Sequence, residues 1–154
     1  MSAIVATRPA VTVAAVVERD GRFLVVEELA AGKLVINQPA GHLEPGEDVL
    51  DAVVRETLEE TGWSIRPDYL VGVYLWEHPS KSHSYLRFAF SGTALEHYPA
   101  RPLDDGIQQA LWLNPEELAA RGDMLRSPLV LRCVQDYQAG ERYPLGLVKT
   151  FLAP

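Results

Sequence analysis

Cysteine is almost absent: the 154-residue chain has one, Cys133. One thiol can close neither an internal disulfide nor a zinc cluster, so a reducing, cytoplasmic compartment is expected. Long apolar runs are missing too. No stretch approaches the roughly 18 residues that span a bilayer, which argues against a membrane partner. Basic charge is in short supply, with 14 Lys+Arg against 21 Asp+Glu and a formal net charge of −7. Nucleic acid gripped through its phosphates needs a basic surface, so that class of partner is excluded. A phosphorylated small molecule remains open if a cation bridges two negative partners. Hydrophobic residues at 47% and charged residues at 23% are ordinary for a globular chain and too apolar for a disordered one. The length fits one domain over 1–154, with residues 1–9 as a loose leader. Arg8 ahead of the apolar run 11–17 faintly resembles a signal peptide. That run ends in Glu18-Arg19-Asp20-Gly21, however, and a second apolar run (23–26) follows at once. The pattern reads as strand, turn, strand, with Asp-Gly as the hairpin signal.

Along the chain, residues 10–18 and 22–28 therefore form a predicted hairpin. Residues 33–46, broken by Pro39, Gly41, Pro45 and Gly46, read as irregular. Residues 47–61 carry a helical pattern stopped by Gly62. Residues 69–77 and 84–93 read as strands around a polar loop, and 94–106 as a second loop. A strand over 107–113 ends at Asn114-Pro115, an N-cap with proline at the first helical position. A short helix to about residue 121 and a last helix over 127–139 complete the chain. Interspersed strands and helices make the class α/β (α+β).

The chemistry concentrates at 41–63. At about 100° per residue, Glu56, Glu59 and Glu60 fall within about 100° of arc. Three carboxylates thus share one helix face, while Leu50, Val54, Thr57 and Leu58 occupy another that suits burial. Like charges at such spacing cost a few tenths of a kcal/mol per pair, roughly, and call for compensation. All-oxygen donors suit a hard divalent ion, Mg²⁺ above all and Mn²⁺ as an alternative. The glycine-rich turn before the helix permits close backbone approach. Arg55 can pair with Glu47, Glu59 or substrate. A solvated acidic face is the plain alternative for the three glutamates taken alone.

Gly41, Glu47, Arg55, Glu56, Glu59, Glu60 and Gly62 match, in identity and spacing, every fixed position of the Nudix box, and the segment resembles that motif of the Nudix hydrolase family. A chance match is on the order of 10⁻⁸ per starting position. Thr57 and Trp63 depart from the bulky aliphatic residues the pattern favours, a matter of packing. The resemblance implies an α/β/α sandwich with a mixed sheet, in which the box forms a loop–helix–loop. It implies Glu56, Glu59, Glu60 and the Gly41 carbonyl as metal ligands, Glu47 and Arg55 as an orienting ion pair, and hydrolysis of a phosphoanhydride bond. A narrower resemblance over roughly 10–149 points to a phosphatase branch of that family. It implies release of orthophosphate from nucleoside tri- and diphosphates and from hydroxymethylpyrimidine pyrophosphate. The rivals are pyrophosphohydrolysis of nucleoside triphosphates, hydrolysis of a nucleotide sugar such as ADP-ribose, and a non-catalytic nucleotide sensor; the complete acid set argues against the last.

Glu59, between the other two acids, is the first candidate for general base. Asp104 and Asp105, in the loop before the strand over 107–113, are the alternatives, with an idle surface loop as the plain reading. Gln38 and Asn37 precede the box and could hydrogen-bond a base; as turn formers they need no function. Trp76 could stack on a flat ring or simply fill the core. Arg87, on a strand, could reach a phosphate or solvent. Arg126 sits where a helix start would favour phosphate or a plain cap. His42 could touch substrate, though hard cations prefer oxygen. Cys133 reads as core. The partner expected is a phosphorylated small molecule, bound by a monomer or homodimer.

Overall fold

The computed structural model describes residues 8–154. The first seven residues of the expected leader lie outside the described residues. Strands β1 (Ala10–Arg19) and β2 (Arg22–Ala30) form the expected hairpin, with Asp20 and Gly21 at positive φ in its turn. The stretch expected to be irregular instead contains β3 (Lys33–Asn37) and β4 (Ala40–His42). β3 pairs with β2 and β4 with β1, both antiparallel. The breakers end these strands rather than interrupt them: Ala31 and Gly32, both at positive φ, make a tight turn from β2 into β3.

Helix α1 (Val49–Thr61) starts where Asp48 accepts N–H bonds from Leu50 and Asp51. It stops at Gly62, whose φ of 75° is the left-handed turn that favours glycine. That turn feeds directly into β5 (Trp63–Glu77), which pairs antiparallel with β6 (Ser84–His97). Both strands exceed the expected lengths, because residues 63–65 pair with 94–97 across register shifts. β5 ends the strand order, so Pro67 lacks a donor only where the register shifts. β6 lies parallel to β1. β7 (Ile107–Leu113) pairs with β2. Helices α2 (Pro115–Ala120), opened by an Asn114–Glu117 capping box, and α3 (Leu129–Gln138) follow.

Alternation in the strands divides the core between two faces. Val13, Ala15, Val17 and Leu24 pack with Ala52 and Val53 of α1. Val16, Phe23 and Val25 pack with Leu118 of α2 and Val130, Cys133 and Val134 of α3. The mixed sheet is thus sandwiched between α1 and the α2–α3 pair, as expected. The buried stripe of α1 is Ala52, Val53, Glu56, Thr57, Glu60 and Thr61. Of the face expected to be buried, Thr57 lies in this stripe and Leu50 and Val54 pack half-buried beside it, while the stripe also includes two of the acids. The acidic and buried faces overlap because the helix packs its glutamates toward β4 rather than toward solvent. Thr57 sits there without an orphan hydroxyl, since its Oγ1 donates to the Val53 carbonyl at 2.7 Å. Trp63, the other departure from the pattern, makes an edge contact with Trp112 and stacks on His97.

Cys133 is fully buried, and burial pushes its thiol pKa up. The folded protein should therefore react with iodoacetamide about tenfold or more slowly than the unfolded chain. Equal rates measured by mass spectrometry with and without denaturant would contradict this placement.

Candidate active site

Arg55 is the electrostatic hub of the box. Its Nε and Nη2 donate to the two carboxylate oxygens of Glu47, a two-pronged pair. Its Nη1 donates to Glu56 at 2.9 Å and Glu59 at 3.1 Å, and lies 3.5 Å from Glu44. Nη2 also donates to the His42 carbonyl. The bond from Arg55 holds the Glu47 carboxyl below the usual range. One guanidinium thus ties the glycine-rich turn to the helix and aims two of the three candidate acids.

The negative charge it leaves over is considerable. Burial pushes the Glu56 carboxyl up despite the Arg55 bond. Glu60 is 8% exposed and accepts the Ala40 N–H at 2.9 Å. Burial first, then repulsion from Glu28, Glu56 and Asp104, pushes its pKa up to about 8. Oxygens of Glu56, Glu59 and Asp104 lie within 4.8 Å of one another. Closely spaced, mutually repelling, all-oxygen donors, running from buried Glu56 to exposed Asp104, are what a hard divalent cation would stabilise, and the donor set fits such an ion. Of the two loop acids, it is Asp104 that approaches the helix, its N–H donating to the Glu59 carbonyl at 3.0 Å. Glu60, although expected with Glu56 and Glu59, is not in that trio. Gly41 abuts Glu56 so closely that a Cβ there would lie 2.1 Å from the Glu56 carboxyl carbon.

A cleft of about 360 Å³ opens beside these acids. Glu56, Glu60, Gly41 and His42 line one part of it. Arg87, Asn37, Arg126 and the aromatic pair Trp76 and Tyr85 line the rest. Trp76 and Tyr85 are stacked at 5.8 Å and half-buried, and both line the cleft. Three of the four expected substrate contacts therefore face it. Gln38 does not: it is 1% exposed, and both ends of its amide are bonded to protein. Asn37, its neighbour, takes the place on the wall.

Glu28 was not singled out as a candidate. It continues the Leu24–Val26 stripe of β2, lines the cleft and pairs with Arg126. An acid ending an apolar stripe was the signal available in the sequence.

The profile of the NUDIX domain matches residues 6–133. This chain belongs to the Nudix hydrolase family. Phosphatase NudJ of Escherichia coli (strain K12) is 43% identical to this Nudix hydrolase over 147 residues, 96% of this chain and 95% of that protein. NudJ of Shigella sonnei (strain Ss046) matches over the same extent. A solved NUDIX hydrolase from Nitrosomonas europaea superposes with a TM-score of 0.91 at 49% identity, covering 94% of this chain and 98% of that one. A UDP-X diphosphatase at 19% identity and a TM-score of 0.72 shares the fold. This Nudix hydrolase is a phosphohydrolase enzyme by that kinship.

Proposed function

We propose that this Nudix hydrolase is a Mg²⁺-dependent phosphatase, with Mn²⁺ as a substitute ion. Its substrates are nucleoside tri- and diphosphates and, by likeness to the NudJ branch, hydroxymethylpyrimidine pyrophosphate, from which it releases orthophosphate. It acts as a single domain over 1–154 in the cytoplasm, as a monomer or homodimer. The observation that carries the reading is the cleft itself, in which buried acids, a buried arginine and a stacked aromatic pair share about 360 Å³. Phosphoryl transfer needs charge neutralised and water aligned, and a flat ring needs a surface to stack on.

Glu56, Glu59 and Asp104 would hold one cation between their oxygens, with Glu60 and the Gly41 carbonyl available to a second. Bound there, Mg²⁺ would neutralise phosphoryl charge and lower the pKa of water. Arg55 and Glu47 fix the helix against the turn, so the acids meet the substrate without reorganisation. Glu59, partly exposed and hydrogen-bonded by Arg55, is the group placed to accept a proton from the attacking water; Asp104 is the alternative. Trp76 supports the ring of the substrate. Arg126 closes the cleft at the start of α3.

The test is product analysis on a panel of nucleoside di- and triphosphates with Mg²⁺ or EDTA. Orthophosphate as product, lost in EDTA, is expected. Pyrophosphate or a sugar phosphate as product would favour a pyrophosphohydrolase of triphosphates or nucleotide sugars.

A further inference from the structure

Two arginines line the cleft in opposite electrostatic states. Arg126 pairs with Glu28 at 2.5 Å and is nearly half exposed. Arg87 is 6% exposed, and among the described residues it forms no ion pair with a carboxylate. Its Nη1 donates to Gln38 Oε1 at 3.0 Å and approaches Cys133 Sγ at 3.8 Å. Its Nη2 donates to Asn37 Oδ1 at 3.0 Å.

Burying a cation without a counter-charge is costly, and a carboxylate at either amide position would offset that cost. Asparagine and glutamine are the uncharged isosteres of the residues that would do it. The Gln38 amide is also locked the right way round: its Nε2 donates to the Val130 carbonyl at 2.7 Å, so its oxygen must face the guanidinium. The wall is thus built to orient a positive charge and leave it unneutralised. Thr12 is the register partner of both His42 on β4 and Arg87 on β6. Two strand spacings therefore separate their backbones, about 10 Å, with the cleft above. In-register residues project from the same face of a sheet, so Thr12, His42 and Arg87 all meet the one cleft that Glu56 and Glu60 also line.

We infer that Arg87 binds an anionic oxygen of the substrate across the cleft from the box acids, and that Asn37 and Gln38 are positioning residues that hold its guanidinium without cancelling its charge. This deepens the phosphatase reading and rests on it.

The test compares wild type with Gln38→Glu, Asn37→Asp, Arg87→Met and Arg87→Lys, all with Mg²⁺. It measures KM and kcat for a nucleoside diphosphate, the Kd of methylenediphosphonate by calorimetry, and Tm. Gln38→Glu is expected to raise KM and Kd about tenfold or more because the new carboxylate neutralises Arg87, at a lowered Tm because it also loses the N–H given to the Val130 carbonyl. Asn37→Asp, at the cleft surface, keeps the oxygen that accepts from Arg87 and should raise both constants about tenfold or more at an unchanged or higher Tm, so it carries the test should Gln38→Glu fail to fold. Arg87→Met should raise both constants at least as much, and Arg87→Lys should restore part of the loss. Wild-type KM and Kd in the folded amide variants, with diphosphonate binding intact, would overturn the role of Arg87 alone. A wild-type protein that hydrolyses the substrate while these variants change only kcat would also refute it. A wild-type protein that neither binds the diphosphonate nor hydrolyses the substrate would overturn the reading of the cleft as well.

Discussion

Glu60→Gln is expected to lower turnover by about a hundredfold or more while raising the stability of the metal-free protein. The activity loss follows from the site. Glu60 adds negative charge to a cluster whose chemistry rests on holding a cation, and metal-assisted charge neutralisation contributes several kcal/mol, roughly, to such a barrier. The amide keeps the side-chain oxygen that accepts the Ala40 N–H, so the local structure has no reason to open. The stability gain follows from titration. The Glu60 carboxyl moves from an ordinary value of 4.5 up to about 8 in the fold. A carboxyl that holds its proton more tightly when folded costs nothing below about pH 4.5, then destabilises the fold increasingly as pH rises toward about 8. In EDTA at neutral pH, the glutamine variant should be more stable by about 1–3 kcal/mol, and the difference should vanish near pH 4. Thermal melts of both proteins across that range, with parallel phosphate-release assays in Mg²⁺, check both halves. An active glutamine variant would remove Glu60 from the machinery. A variant less stable at pH 7 in EDTA would show that the carboxylate is not under electrostatic stress.

The second large effect is expected from a single methyl group. Gly41→Ala would set a Cβ 2.1 Å from the carboxyl carbon of Glu56 and 2.2 Å and 2.4 Å from its oxygens. The end of a glutamate side chain can swing away, so the fold should survive with a Tm within a few degrees of wild type. The carboxylate cannot stay where it is, however. It would leave both its bond from Arg55 and its place beside Glu59 and Asp104. Turnover should fall about a hundredfold or more, since misplacement of about 1 Å is enough for such a loss. The main-chain carbonyl of residue 41 is retained in this variant, so the loss would be assigned to Glu56. Steady-state kinetics beside a thermal melt would decide, and near wild-type kcat would mean the Glu56 carboxylate can act from elsewhere.

The parts of this site that were legible in the sequence are the locally encoded ones. Gly62 ends α1 through a contact within four residues, and the spacing of Glu56, Glu59 and Glu60 is a property of one helix, whereas the expected start at residue 47 overran the Asp48 cap. The irregular reading of 33–46 failed because glycine and proline report only local preference. β3 and β4 exist through pairing with β2 and β1, which no window of that stretch contains. The same limit hid the division of labour between Asn37 and Gln38. Both amides accept from the Arg87 guanidinium, and the Val130 carbonyl of α3 seals Gln38 in while Asn37 meets the cleft. Glu28 carries only a faint mark in the sequence for a related reason, since it meets Arg126 across 98 positions of chain and raises the Glu60 carboxyl from another strand. Asp104 could be named only as one of two neighbours, because its approach to Glu59 is fixed by a loop backbone bond.

The parallel seam between β1 and β6 places Thr12 directly beside Arg87. Pairing residues so distant along the polypeptide carries a large loop-closure cost, and such non-local pairings are slow to nucleate. Ligand recognition should consequently emerge late in refolding, in step with the final cooperative transition. Capture of a phosphorylated metabolite through Arg87 would then appear together with native structure.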